Sequence, residues 1–318
     1  MVSLRARRPS VRLGSAHDGV RAVAARLPGE PGVYRFRDEA GRVLYLGRAE
    51  HLRRRVTSYW GDLGHRRHLR RMVARIAKVE AVVCASPHEA AWLERNLLER
   101  SKPPYNRIRG GLEVPVNIRL RQRRGAATLD VVHLSEPEAG ELFGPYLGGE
   151  RVRLAVAAIG RVLPLAYAGL RLAGSERDLA RVLGVESGDL ETLVQTVTAV
   201  LTRDPAAVAS VLDELRRRRD AASETLVFEL AARLQAEAEA LEWVVSDQRA
   251  TLPEPVDLDV HGWTDGVHVT FEMRRGRLNG WRQRSCDEST ARALVHATPP
   301  EWASFARRNA ELAALLNA

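Results

Sequence analysis

The sequence predicts an α+β fold: a compact α/β unit over residues 27–110, a mainly helical domain, and a small terminal β/α piece. Three observations carry this. Between Leu27 and Arg100, short apolar runs bounded by turn residues alternate with apolar residues spaced three and four apart. Residues 176–246 follow the helical period almost throughout. After Pro253 and Pro255, three more strand-like runs precede two closing helices. The 318 residues suffice for about two domains. With 45% hydrophobic and 28% charged residues, the chain is globular rather than disordered.

The elements follow in order. Residues 1–26 form a polar extension with a short helix expected at His17–Arg26. Leu27-Pro28-Gly29-Glu30-Pro31-Gly32 is a turn-rich entry. Gly32–Arg37 and Arg42–Gly47 read as strands joined by Asp38-Glu39-Ala40-Gly41, a hairpin pattern. Leu52, Val56 and Tyr59 mark a helix, and Leu69, Met72, Val73 and Ile76 mark another whose arginines 66, 67, 70 and 71 point away from the apolar stripe. Val79–Cys84 reads as a third strand. Ser86 as N-cap, Pro87 at the first helical position and Glu89 three after the cap start a helix, and Pro103-Pro104 require it to stop near Arg100.

Residues 111–175 read as a linker region, with a strand at Val114–Leu120 and a glycine-rich stretch from Phe143 to Gly149. Within the helical domain, 176–250, Leu212–Glu242 is a helical pair turning near Ser223–Thr225. Residues 251–318 hold strands at Asp257–Val260, Val267–Met273 and Arg277–Arg282 and helices at Ala291–His296 and Trp302–Leu316.

Charge is uneven. The chain has 49 basic and 40 acidic residues, and only Lys78 and Lys102 are lysine. Residues 1–150 carry +12 and residues 151–318 carry −3. A basic first half suits an anionic polymer, although an arginine-biased genome would give the same composition. No apolar run approaches the roughly 20 residues of a membrane span, and no secretory signal opens the chain. Cys84 and Cys286 offer neither a disulfide framework nor a paired-cysteine metal site. The expectation is a cytoplasmic protein without a membrane partner.

Several side chains stand out chemically. Glu94 lies mid-helix, and its neighbours three and four residues away, Ala90, Ala91, Leu97 and Leu98, cannot pair with it. It either meets an arginine of another element or ligates a cation such as Mg²⁺, which one or two carboxylates commonly hold in phosphate chemistry. Arg55 falls beside Leu52 and Tyr59, where a guanidinium could stabilise a phosphoryl transition state or simply pack. Tyr34 and Tyr45 sit on paired strands and could face one side. An ordinary phenol, with a pKa of about 10, is a poor base unless cations lower it.

The order of these residues is more specific than any one of them. Pro31-Gly32-Val33-Tyr34, Val43-Leu44-Tyr45-Leu46-Gly47-Arg48-Ala49, Leu52-Arg53-Arg54-Arg55-Val56 and Ser58-Tyr59 precede Leu93-Glu94-Arg95-Asn96-Leu97 and Pro103-Pro104-Tyr105-Asn106. Ten residues separate Tyr45 from Arg55 and twelve separate Glu94 from Asn106. This pattern resembles the GIY-YIG nuclease family, most closely the amino-terminal half of the UvrC excinucleases and their stand-alone homologue Cho.

The resemblance implies metal-dependent DNA endonuclease chemistry: a single incision near a lesion in nucleotide-excision repair, with Mg²⁺ or Mn²⁺. It implies that Glu94 binds the metal and that Tyr34 or Tyr45 activates or positions the attacking water. Arg55 would stabilise the phosphate, with Asn106 and Tyr59 orienting substrate and neighbouring side chains. Arg48, where this subgroup usually has lysine, would contact phosphate, as would Arg53, Arg66, Arg67, Arg70 and Arg71. Partners implied are damaged double-stranded DNA and UvrB, with UvrA upstream.

The likeness continues more weakly in Phe143-Gly144-Pro145-Tyr146, in the UVR-like hairpin core Phe228–Leu234, and in Asp257–Arg282, which resembles the opening of UvrC's second nuclease domain. Gln235-Ala236 replaces the usual Arg-Asp pair, which leaves open a structure-specific nuclease acting without UvrB. A non-catalytic DNA-binding module on the same fold is the other alternative. Residues 160–175 contain no cysteine, so no iron–sulfur cluster is expected.

Overall fold

The structure, a computed structural model, describes residues 13–61, 67–110, 113–123, 125–133, 140–170, 172–252 and 254–318. The chain divides into two compact units: residues 1–111 with 254–318, and residues 112–253. The α+β expectation holds in both.

The first unit opens with α1 (Leu13–Ala25), β1 (Gly32–Arg37), β2 (Val43–Ala49), α2 (Leu52–Thr57), a 3-10 turn (Ser58–Trp60), α3 (Arg67–Val73), β3 (Lys78–Val83) and α4 (Pro87–Arg100). The three strands form an antiparallel sheet in the order β2-β1-β3. In the hairpin link, the Asp38 and Gly41 N–H groups donate to Arg42 O and Asp38 O. Tyr34 lies opposite Gly47 and Ala81, and Phe36 lies opposite Tyr45 and Val79. Alternation along a strand puts Tyr34, Phe36, Tyr45 and Gly47 on one face. That face packs with Leu27, Leu52, Val56, Tyr59 and Met72 in a single core.

Gly32 is required where β1 enters. A Cβ there would lie 2.1 Å from Val82 O and 2.7 Å from Leu52 Cδ1, so any side chain would drive β1 from β3 and α2. Helix α4 starts as its sequence dictates. Ser86 Oγ accepts from the Glu89 N–H at 3.0 Å, while the Glu89 carboxylate reaches past the cap to accept from the Ala85 N–H at 2.6 Å.

The second unit contains a sheet where the sequence presents a linker region. Strands β4 (Val116–Arg123), β5 (Ala126–His133) and β6 (Glu141–Tyr146) pair in the order β5-β4-β6. The stretch Phe143–Tyr146 is thus strand, with a cis Gly144–Pro145 peptide. Its weak signal has a physical cause: glycine and proline interrupt the period-2 pattern. Helices α5 (Gly149–Val162), α6 (Gly174–Leu183), α7 (Leu190–Leu201), α8 (Pro205–Glu224) and α9 (Phe228–Val245) follow. All but α6 share one core with the sheet, Ile118 and Phe143 packing with Ile159, Leu215 and Leu241. Glu237 on α9 is wholly buried and accepts from Arg161 of α5 at 2.6 and 2.8 Å.

The chain then re-enters the first unit with β7 (Leu258–Thr264), β8 (Val267–Arg274), β9 (Arg277–Ser285), α10 (Glu288–His296) and α11 (Pro300–Asn317). Residues 251–318 read from the sequence as a piece of their own, yet residues 254–318 cluster with residues 1–111. Two contacts explain why. Leu312 and Leu316 of α11 enter the core built by Tyr34 and Phe36. Asn309, 1% exposed, accepts from the Val83 N–H at 2.7 Å and donates to Val83 O at 3.2 Å.

The face of β1 opposite the core is also closed. Arg35 pairs with Glu80 of β3, donates to Trp281 O of β9 at 2.9 Å and holds its guanidinium carbon 3.7 Å over the Trp281 ring. Burial disfavours the Glu80 charge, but Arg35 and Arg37 outweigh it and hold the carboxyl below its ordinary value. Removing one partner strands a charge that water cannot reach. Glu80→Ala is therefore expected to cost about 3 kcal/mol, read as a lower urea midpoint at unchanged slope. The wild-type contribution is complete above the ordinary glutamate value of about 4.3. It is lost as the pH falls through the lower folded value.

Candidate nuclease active site

The site grows from the aromatic face of β1 and β2. Tyr34 is fully buried, and its hydroxyl shares a 2.8 Å hydrogen bond with Tyr59 Oη. Tyr34, Tyr45 and Tyr59 sit with ring centres 6.0 to 6.1 Å apart, with Phe36 5.1 Å from Tyr59 and Trp60 6.1 Å from Phe36. Tyr45 is only partly buried. Burial, then Tyr59 and Tyr45, pushes the Tyr34 phenol well above its ordinary value. Burial, then Tyr59, with a smaller push from Glu94, raises Tyr45. Both phenols therefore keep their protons at neutral pH.

Arg55 lies on the solvent side of this cluster, 5.3 Å from the Tyr59 ring centre. The phenols, Tyr34 first, raise its pKa and hold its charge more firmly still. The placement expected from helical spacing, beside Leu52 and Tyr59, is realised because α2 ends at Thr57 and the tighter 3-10 turn swings Tyr59 inward, leaving it 4% exposed.

Glu94 comes in from α4. No cation is available along its own helix face, and Arg48 of β2 supplies one: Nε lies 3.5 Å from Glu94 Oε2. The pair is accessible, with side chains 35% and 22% exposed. A salt bridge to another element and a cation ligand were the two readings of Glu94. The salt bridge is present, and its exposure leaves the carboxylate within reach of water.

Asn106 does a backbone's work. Its Oδ1 accepts from the Leu46 N–H at 3.0 Å and its Nδ2 donates to Leu46 O at 2.7 Å. With the Tyr105 N–H donating to Leu44 O at 3.1 Å, residues 105 and 106 cover the free edge of β2. Asn106 thus fixes the strand between Tyr45 and Gly47.

The basic residues divide. Arg70 and Arg71 are exposed on α3. Arg53 Nε donates to Leu27 O at 2.6 Å and ties α2 to the turn before β1. Arg67 begins α3, and Arg66 lies outside the described residues. Sequence reasoning missed Phe36 and Trp60, which wall the tyrosines; their strand and turn positions next to Tyr45 and Tyr59 were the available signal. No group of three His, Cys, Asp or Glu residues that could hold a metal ion gathers among the described residues.

The family model described as a UvrC-like GIY-YIG domain matches residues 30–107, which hold every one of these groups. Residues 30–107 are a UvrC-like GIY-YIG domain. The chain is similar to UvrABC system protein C from Mycobacterium marinum, 32% identical over 82% of this chain and 43% of that one. It is also similar to the same protein from Oleidesulfovibrio alaskensis, 31% identical over 74% and 35%. The chain spans less than half the length of these curated relatives. The GIY-YIG amino-terminal endonuclease domain of UvrC from Thermotoga maritima, solved with its catalytic divalent cation magnesium, is 32% identical. That likeness covers 28% of this chain and 96% of that one, with a TM-score of 0.26.

The second motif glycine of the GIY-YIG domain has a steric role. A Cβ on Gly47 would stand 2.7 Å from Tyr45 Cε1 and 2.8 Å from Tyr34 Oη. Both rings are held by neighbours, so neither can withdraw freely. Gly47→Ala should cost roughly 1–3 kcal/mol through overpacking. It should also disturb the tyrosine ring signals in NMR, whereas an alanine at exposed Gly160 of α5 should leave those signals in place.

Proposed function

We propose that this chain is a metal-dependent DNA endonuclease that makes a single incision near a lesion in nucleotide-excision repair. The observation that carries this is the convergence, in a UvrC-like GIY-YIG domain, of the partly exposed Glu94 with Tyr45, Arg55 and Arg48 at one edge of the sheet. The +12 charge of residues 1–150 fits a polyanion partner.

The donor set suits Mg²⁺ or Mn²⁺. A carboxylate within reach of water matches cations that keep most of their waters and take further oxygens from substrate phosphate. Glu94 would hold the cation, which supplies Lewis-acid charge neutralisation at the phosphate. Tyr45, the exposed member of the cluster, would orient the attacking water through its protonated hydroxyl. Tyr34 reaches no solvent and serves as a positioning residue, fixing Tyr59 through their shared hydrogen bond. Arg55 would neutralise charge developing on the phosphate, its guanidinium steadied over Tyr59. Asn106 would act at one remove by holding Leu46. Arg70 and Arg71 would contact the duplex backbone, making binding salt-dependent.

The helical hairpin of α8 and α9 is the surface proposed for UvrB. Leu226, Val227, Phe228 and Leu230 at its tip are 40% to 71% exposed, a contiguous apolar end that water disfavours. Against this, Gln235, which stands at the departure from the family's pattern, is engaged internally. It accepts from Arg219 at 2.6 Å and donates to Glu239 at 2.8 Å. That is the observation behind a second reading, a nuclease acting without UvrB.

With Mg²⁺, and UvrA and UvrB supplied if needed, the purified protein should nick a lesion-bearing duplex. Glu94→Gln and Arg55→Ala should each lower the rate at least about 100-fold while circular dichroism stays unchanged. A Glu94→Gln protein that cuts at the wild-type rate refutes the assignment. Separately, immobilised wild type should retain UvrB and Phe228→Ser should not. A wild type that nicks but retains no UvrB selects the second reading.

A further inference from the structure

We propose that Arg48 is a gate on the Glu94 cation site: it occupies the carboxylate until a substrate phosphate draws its guanidinium away. This rests on the reading of Glu94 as the cation ligand. The Arg48 Nε stands 3.5 Å from Glu94 Oε2, and both side chains are partly exposed. A divalent cation coordinates a carboxylate oxygen at about 2.1 Å. A dication so placed would stand within a few ångström of a fixed positive charge, in a partly shielded pocket where screening is incomplete.

The two cations therefore compete for one carboxylate. A guanidinium cannot relieve the conflict by losing its proton. Arg48 has to turn, and turning is most favourable where another anion receives it. The other arginine of the site, Arg55, is already engaged with the phenols. Arg48 is thus the cation placed to change partners. A DNA phosphate is the acceptor whose geometry a guanidinium fork fits. Cation binding and phosphate binding then reinforce each other, and by linkage the coupling is mutual. The consequence is a site that binds its cation weakly without DNA and firmly with it, so the loaded state forms where substrate is.

The test uses Mn²⁺ alone, titrated by electron paramagnetic resonance into the full chain without DNA. Arg48→Met, which keeps the length of the stem and removes the charge, should bind Mn²⁺ roughly 3- to 10-fold more tightly than wild type. Arg48→Lys, which restores the charge, should bind as wild type does. Glu94→Gln should bind at least about 10-fold more weakly. Equal or weaker binding by a folded Arg48→Met overturns the gate, as does Arg48→Lys binding as tightly as Arg48→Met. If Glu94→Gln loses Mn²⁺ while Arg48→Met matches wild type, the gate alone falls. If Glu94→Gln binds as wild type does, the cation reading and the gate fall together.

Discussion

The site depends on one absent side chain. At Gly47 the backbone of β2 lies so near the Tyr34 hydroxyl and the Tyr45 ring that a single methyl group would have to displace one of them. From that close approach the rest follows. Tyr34 can lie flat enough to reach Tyr59, Tyr59 is pulled under Arg55, and Tyr45 is left at the rim with its ring against Phe36. Packing fixes these rings before any charge is considered, because each is held by two or three other aromatic faces. The geometry of the tyrosine cluster is in this sense a by-product of core packing at the end of a strand pair.

Charge is then arranged on a rigid apolar frame. Burial keeps both phenols protonated, while Arg55 is held charged beside them. Burial therefore opposes the phenolate form of either residue. Glu94 and Arg48 are treated differently. They are the exposed pair of the site, and exposed pairs contribute little to stability. A pair that costs little to separate is available for function, whereas the buried Arg35–Glu80 pair on the opposite face of the same sheet is not.

Much of this was legible in the sequence, for reasons that differ by residue. The α4 start was written in Ser86, Pro87 and Glu89, because capping is local chemistry. The three strands followed from short apolar runs between turn residues, and the face that Tyr34 and Tyr45 could share is the one the register gives them. Glu94 stood out because its helix offers it no partner, but the identity of the cation that answers it, Arg48 on a strand 46 residues earlier, is a tertiary fact. The sheet in residues 112–253 was hidden because Gly144 and Pro145 interrupt its third strand and the second is half exposed, so neither gives a clean pattern. The role of Asn106 was expected to be orientation. That it works by imitating a strand residue is invisible to spacing.

The same imitation explains why the terminal segment belongs to the first unit. A three-stranded sheet has two edges and only one central strand, and short sheets of this kind need cover to be stable. Here an asparagine side chain closes each edge with the same pair of bonds: Asn106 on Leu46 of β2, and Asn309 on Val83 of β3. One comes from a loop within the GIY-YIG domain, the other from a helix more than 200 residues later. Asn309 is also 1% exposed, so its two bonds cannot be returned to water without unpacking α11. The sheet that carries Tyr34 is thus completed by residues outside the matched domain, and Leu312 and Leu316 complete its core from the same helix. In this chain the domain boundary drawn by family resemblance and the boundary drawn by packing are different boundaries, and the rigidity of the tyrosine cluster depends on the second.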